Sequence, residues 1–580
     1  HTVTRRQRQM CIRDRYNVVM VLKNIKFILI ILLFYQNTLF TKSNSFEKID
    51  SKNLSKYFSG IVAFGNKKNS EALDFFNSSK ILINNHDPFL KRYVSSLVLE
   101  NKVLQAIQII KQNYENENID FFDSYLLLII DSLKKNELDI AYEYISIANN
   151  FAEQDRFNLA ILESLKQYVY LFKEKKFLDD KKNFGRLSYI SETFQKCYLD
   201  DPNTGRYFSK LINDPESDFT RYIYFYISYL VENGNINEAK VITDEIEFLN
   251  STLLLSQGKS WIDNGNLQKF KEVFSCKNHN DLIAEFLFLI SNLYSAQDNY
   301  EMSNFYLNLS NFLNPRFVFN LSLVAENHYF NKDYEKAKKV LKKFKKDDDF
   351  YYWFRLKKEA QIISAQRNNQ ESLNFIKFNF DKIENPNEKI LFDVANFYKK
   401  AKNYEEAISY YSKIIENLDD NSDIKSDILY RRGGTYERIK NYEKADKDLI
   451  DALQITPDDA YILNYLAYSW LERDYKINEA IKMLETAYEL ESDDPYIIDS
   501  IGWAYYLTDD YPRAEKFLKR AVELMPDDPI VNDHYGDILW KLNRKIQARY
   551  FWTNVLKMKD TEKELIEKIN IKMIEGLKSS

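Results

Sequence analysis

Between Ser426 and Asp560 one pattern is written four times. In the first copy Leu429, Gly433, Tyr436, Ala445, Leu449, Ala452 and Pro457 fall at fixed offsets, and in the third copy Ile498, Gly502, Tyr505, Ala514, Leu518, Ala521 and Pro526 repeat them. The alanines are the ruler: Ala445, Ala480, Ala514 and Ala548 stand 35, 34 and 34 residues apart. Leu429, Gly433 and Tyr436 share one face of a helix, being at i, i+4 and i+7. Gly433, Ala445 and Ala452 let a second helix come close, and Leu449 fills the gap between the two alanines. Pro457 ends the unit, because proline lacks a donor and blocks helix continuation. Such a helix–turn–helix unit cannot bury its apolar face alone, so the chain must stack its copies.

A 34-residue period with these large, small, Tyr, small, large, small and Pro positions resembles the tetratricopeptide repeat. The expected fold is all-α: an α-solenoid of stacked helix–turn–helix pairs in a right-handed superhelix. A single core stops growing near ~250–300 residues, but a solenoid of 580 residues escapes that limit because each repeat contacts its neighbours. Glycine (12) and proline (10) fall far below the usual roughly 7% and 5%, as long helices and short turns require. The net charge of −5 is small for this length and gives no electrostatic case for nucleic acid.

Counted backwards, the ruler position continues at Ala407, Ser372, Ala337 and Ser303, then more faintly at Phe270 and Ala239. Gly60, Ala72 and Phe76 start a unit that Ala106 and Ala141 continue, which makes thirteen recognisable units. Residues 155–215 lose the ruler and read either as degenerate repeats or as a joint between two arms. After Asp560 one amphipathic helix, with Leu565, Ile569 and Met573 on one side, is expected to cap the open end of the last repeat.

The first residues, HTVTRRQRQMCIRDR, fit nothing downstream and read as an adapter-derived leader over residues 1–19, with Met20 as the true start. Lys23 and Lys26 precede an apolar run from Phe27 to Tyr35, and Ser43 and Ser45 offer small residues for cleavage before Phe46. This is the order of a signal peptide, so export is expected, with an uncleaved inner-membrane anchor as the alternative. The chain then divides into residues 20–45 (signal or anchor), 46–215 (degenerate arm), 216–387 (middle repeats), 388–562 (strong repeats) and 563–580 (cap).

No catalytic, cofactor or metal site emerges. Cys11, Cys197 and Cys276 are too few and too far apart for a disulfide framework or a structural zinc site, and read as isolated thiols. The five histidines show no ligand spacing. Gly258-Lys259-Ser260 matches the end of a phosphate-binding loop, but Leu253 stands where that loop needs glycine. An enzyme is not expected.

What remains is a surface. In this repeat class the first helix of each pair lines the concave side. Its positions that alternate with the packing residues hold Tyr430 and Arg431; Asn464, Tyr465 and Tyr468; Asp499, Trp503 and Tyr506; and Asp533, His534, Asp537 and Trp540. Aromatic rings beside isolated polar groups suit peptide binding, and they equally suit packing between repeats. The runs from Leu463 to Trp470, from Asp499 to Trp503 and from Asn532 to Asp537, with Arg549 and Trp552, resemble a family of exported tetratricopeptide proteins of the Gram-negative envelope. That resemblance implies a scaffold or adaptor for proteins or peptides, since some relatives bring carboxyl-terminal processing proteases to their substrates. Alternatives are a membrane-tethered scaffold, or a regulatory subunit of a separate envelope protease or glycosyltransferase.

Overall fold

The structure, a computed structural model, describes residues 51–577 apart from 84–85, 115–118, 153–154, 180, 214–219, 247–251, 347–348 and 560. The proposed leader, signal segment and Cys11 lie outside these residues. The described residues are helical with turns and carry no strand, and none of their helices is long and apolar enough to cross a membrane.

The chain forms two compact units, one ending at Ser96 and the other starting at Leu97. In the first, helices Ser51–Gly65 and Asn69–Asn77 meet at Gly60, where a Cβ would lie 2.7 Å from the Phe76 ring. Tyr57, Phe76, Phe89 and Tyr93 fill the space around that contact.

The second unit is an α-solenoid of helix pairs. The first strong copy is Asp423–Arg438 with Tyr442–Ile455, and the second is Ala460–Leu471 with Ile477–Leu490. The third is Pro495–Leu507 with Tyr511–Leu524, and the fourth is Pro529–Lys541 with Lys545–Lys557. Every ruler residue is shut away from water: Ala445, Ala480, Ala514, Ala548, Ala407, Ala337 and Ser303 are at most 1% exposed, and Ala239, Ala106 and Ala141 are fully buried. Gly502 shows why its position must be small, since a Cβ there would stand 2.8 Å from Leu518. Gly258 answers the same need inside helix Leu253–Asp263, packed on Tyr224, so the Gly-Lys-Ser run is helix and not a phosphate loop.

Local signals fix the ends of the helices. Asp459, Asp494 and Asp528 each accept two backbone N–H bonds from the first turn, at 2.9–3.1 Å, and Pro495 and Pro529 open their helices. The turn inside several pairs uses a left-handed residue: Gly234 and Gly265 in two early pairs, Lys402, Lys440, Asp509 and Asn543 in later ones, and both Asp474 and Lys476 in the second strong copy.

Contacts between sequence-distant helices depart from a neighbour-only solenoid. Helices His279–Ser295 and Tyr300–Leu313 pack against Val103–Gln112, Phe122–Lys134 and Arg156–Glu174 as well as against each other. Asn308 donates to the Val98 carbonyl at 2.9 Å, and the Phe157 and Tyr294 rings meet edge to face at 4.9 Å. His279 stacks on Phe172 at 4.2 Å and bridges the Tyr198 hydroxyl and Asn136. Burial and the nearby Lys175 charge pull its pKa down to about 4, so it bridges as a neutral ring. The expectation of isolated thiols fails here: Cys197 and Cys276 form a disulfide across 79 residues of sequence. Spacing alone could not show it, because helix Arg186–Leu199 reaches the segment before His279 only through tertiary packing.

Candidate protein-interaction face and the C-terminal helix

The first helices of the last three strong copies pack directly on one another, and that of the first copy meets the second through Tyr430 and Tyr465, which lines their equivalent positions up as a ladder. Tyr430, Asn464, Asp499 and Asp533 occupy one rung position, and Tyr468, Trp503 and Asp537 occupy the position one turn further on. At the first copy Tyr430 meets Tyr465 edge to face at 5.5 Å, and the Tyr465 hydroxyl donates to Glu437 at 3.1 Å. Gly434 leaves room for that ring, and Arg431 pairs with Asp427 and lies over Phe392. The residues chosen from the sequence are thus brought together, but few of them are free.

The middle of the ladder is a stack of rings. Trp503 lies flat between Tyr506, at 4.6 Å and 11°, and His534, at 4.0 Å and 13°, while its Nε1 donates to Glu472. His534 Nδ1 and Asp499 Oδ2 are 2.8 Å apart. Burial opposes a charge on His534, but the Asp499 carboxylate outweighs it and raises the imidazole pKa above its ordinary value. Tyr468, Trp503, Tyr506 and Trp540 are half-buried, whereas Asp499, Asp533, His534 and Asp537 are less than 8% exposed.

The helix Lys563–Glu575 occupies the far end of this face. Ile569 is fully buried against the last copy, as a cap requires, and Leu565 and Met573 pack beside it. The same helix does something the sequence did not announce. Lys572 donates to Asp533 Oδ1 at 2.6 Å and to both oxygens of Asp537 at 2.8 Å. Trp552 Nε1 adds a bond to Asp537 at 3.0 Å, and Gly576 lies so close to the Trp540 ring that no side chain would fit there. Burial and the Asp533 charge still push Asp537 up to about 6. Lys572 could have been found only by noting a lysine three residues after Ile569, on the edge of the apolar stripe.

Among the described residues no cluster of His, Cys, Asp and Glu could hold a metal ion. The arrangement is a polar, aromatic-walled face.

Residues 388–417 and 426–459 match the sequence pattern of the tetratricopeptide repeat family. The chain carries tetratricopeptide repeats. A TPR repeat-containing protein of Pseudomonas aeruginosa is 33% identical over 90 residues, which are 16% of this chain and 15% of that one. The anaphase-promoting complex subunit 3 of Schizosaccharomyces pombe is 24% identical over 215 residues, 36% of this chain and 30% of that one. The match therefore spans less than a third of the length of either relative. Among solved structures, a tetratricopeptide repeat protein from Parabacteroides merdae is similar over 50% of this chain and 98% of its own, at 16% identity and a TM-score of 0.33.

Proposed function

We propose that this tetratricopeptide repeat protein is a non-enzymatic scaffold of the bacterial cell envelope. Its partners are proteins or peptides, held along the first-helix face of the last four copies. The observation that carries this reading is the continuous ladder from Tyr430 to Asp537, where rings with polar edges alternate with buried carboxylates. Half-buried aromatic residues supply large contact area with a hydrogen-bonding handle, as interface anchors do. A repeat match to a subunit of a multiprotein assembly supports the same class of role.

The envelope part of the reading rests on two features. Lys23, Lys26 and the apolar run to Tyr35 have the order of an export signal. The Cys197–Cys276 disulfide belongs in an oxidising compartment, such as the space outside the inner membrane.

The test uses the chain as bait in an envelope fraction, followed by affinity measurement with the captured partner. Trp503→Ala and Tyr506→Ala should each weaken binding by about 2 kcal/mol, the size of an interface anchor. Unchanged affinity in folded variants would move the binding site elsewhere on the solenoid. A topology reporter fused after residue 46 that is active only in the cytoplasm would refute the envelope reading.

A further inference from the structure

The ladder presents the same place four times, and two of its rungs are incomplete. On the last rung Asp533 and Asp537 are satisfied by the Lys572 ammonium. On the two rungs before it, Asn464 Oδ1 and Asp499 Oδ1 are buried acceptors with no hydrogen-bond donor among the described residues. Asp499 is only 5% exposed, and its other oxygen is spent on His534. Buried acceptors are almost always paired, so two unpaired ones at equivalent places on adjoining helices mark a missing donor. Tyr468 stands near Asp499, and Trp503 stacks on the His534 that Asp499 holds, so aromatic rings flank this carboxylate.

Resting on the reading of this face as a peptide site, we infer that Asn464 and Asp499 receive a lysine or arginine side chain of the partner peptide. It enters as Lys572 enters the next rung from within the chain. Lys572 shows the chemistry at work: its ammonium stands 5.9 Å from the Trp552 ring centre and is shared between carboxylate oxygens of one first helix. The partner segment then lies beside the C-terminal helix and extends the same row of cations along the ladder.

The test is a selection of random twelve-residue displayed peptides against the full chain, followed by affinity measurement of the enriched sequences. The enriched peptides should share a Lys or Arg, and its replacement by norleucine should weaken binding tenfold or more. Asp499→Asn should cause a similar loss, while Asp493→Asn, a fully solvated carboxylate in the preceding turn, should leave affinity unchanged. Thermal unfolding of both variants checks that folding is retained, and Asn464→Leu gives a second variant that removes the other acceptor. Peptides that bind the ladder without a basic residue, or that ignore both Asp499→Asn and Asn464→Leu, would overturn the inference and leave the peptide-binding reading intact. No enrichment at all would overturn both. A dimer of the chain alone that dissociates with Asp499→Asn would make a second copy the occupant, and would also overturn it.

Discussion

Lys572 holds both carboxylate oxygens of Asp537 at 2.8 Å, and so ties the C-terminal helix to the first helix of the fourth copy. This pair does more than cap an apolar end. It sets one ammonium against two carboxylates that the fold has already taken out of water, and in doing so ties down the last helix. Removing Lys572 leaves Asp533 and Asp537 buried side by side. Lys572→Ala should therefore cost about 3 kcal/mol, the lower end for breaking a buried pair, because the lysine keeps 17% of its side chain exposed. Urea unfolding followed by tryptophan fluorescence would measure it, since Trp540 and Trp552 lie against this helix.

The same corner should make stability depend on pH. Asp537 has a folded pKa of about 6, against roughly 3.9 in an unfolded chain. Its raised value favours the protonated form, so its contribution is complete below about pH 4 and is lost as the pH rises through 6. His534 is also raised, and its contribution fades as the pH climbs past its folded value. The stability difference between the wild-type chain and Asp537→Asn should change between pH 4 and 6 and stay flat above pH 7. Denaturation midpoints across that range decide it, and a constant difference would contradict the assignment.

The disulfide should show itself as loss of stability on reduction. Closing a loop of this length contributes about 2–4 kcal/mol. Cys276→Ser, or reduction of the wild type, should lower the unfolding free energy by that amount. Thiol titration of the unreduced, denatured chain should find Cys197 and Cys276 unreactive.

Arg221 and Glu285 form a second buried pair, with bonds of 2.8 and 2.6 Å, and the guanidinium lies 3.6 Å over the Phe288 ring. Burial raises the Glu285 pKa despite the arginine. Arg221→Ala strands a carboxylate that is 2% exposed and should cost about 3–5 kcal/mol. Arg221→Ala with Glu285→Leu should recover part of that loss, which a double-mutant cycle would read.

The turns give predictions of both signs. Lys440 adopts a left-handed backbone, φ 61°, where two early pairs use glycine. Lys440→Gly should stabilise by roughly 0.5–1 kcal/mol, the left-handed strain less the entropy glycine loses on folding. Gly502→Ala should destabilise by about 1–3 kcal/mol through overpacking against Leu518. Thermal melts of both variants would check the pair.

The sequence by itself determined the helix pairs. Small residues at Gly433, Ala445, Gly502 and Ala514 recur because neighbouring helices must touch there, and such local contacts leave a period that can be read directly. It also placed Tyr430, Asn464, Asp499 and Asp533 on one line, since equivalent positions of stacked units align. The tertiary structure decided what the period cannot encode. Cys197 meets Cys276, Arg221 meets Glu285 and Asn308 meets Val98 because separate helices of the second unit pack on one another, and no fixed offset marks such contacts. In the same way the sequence named Asp533 and Asp537 as parts of an open face. Lys572 shows them already occupied, because burial of Ile569 sets the C-terminal helix at the one register that brings its ammonium onto both carboxylates.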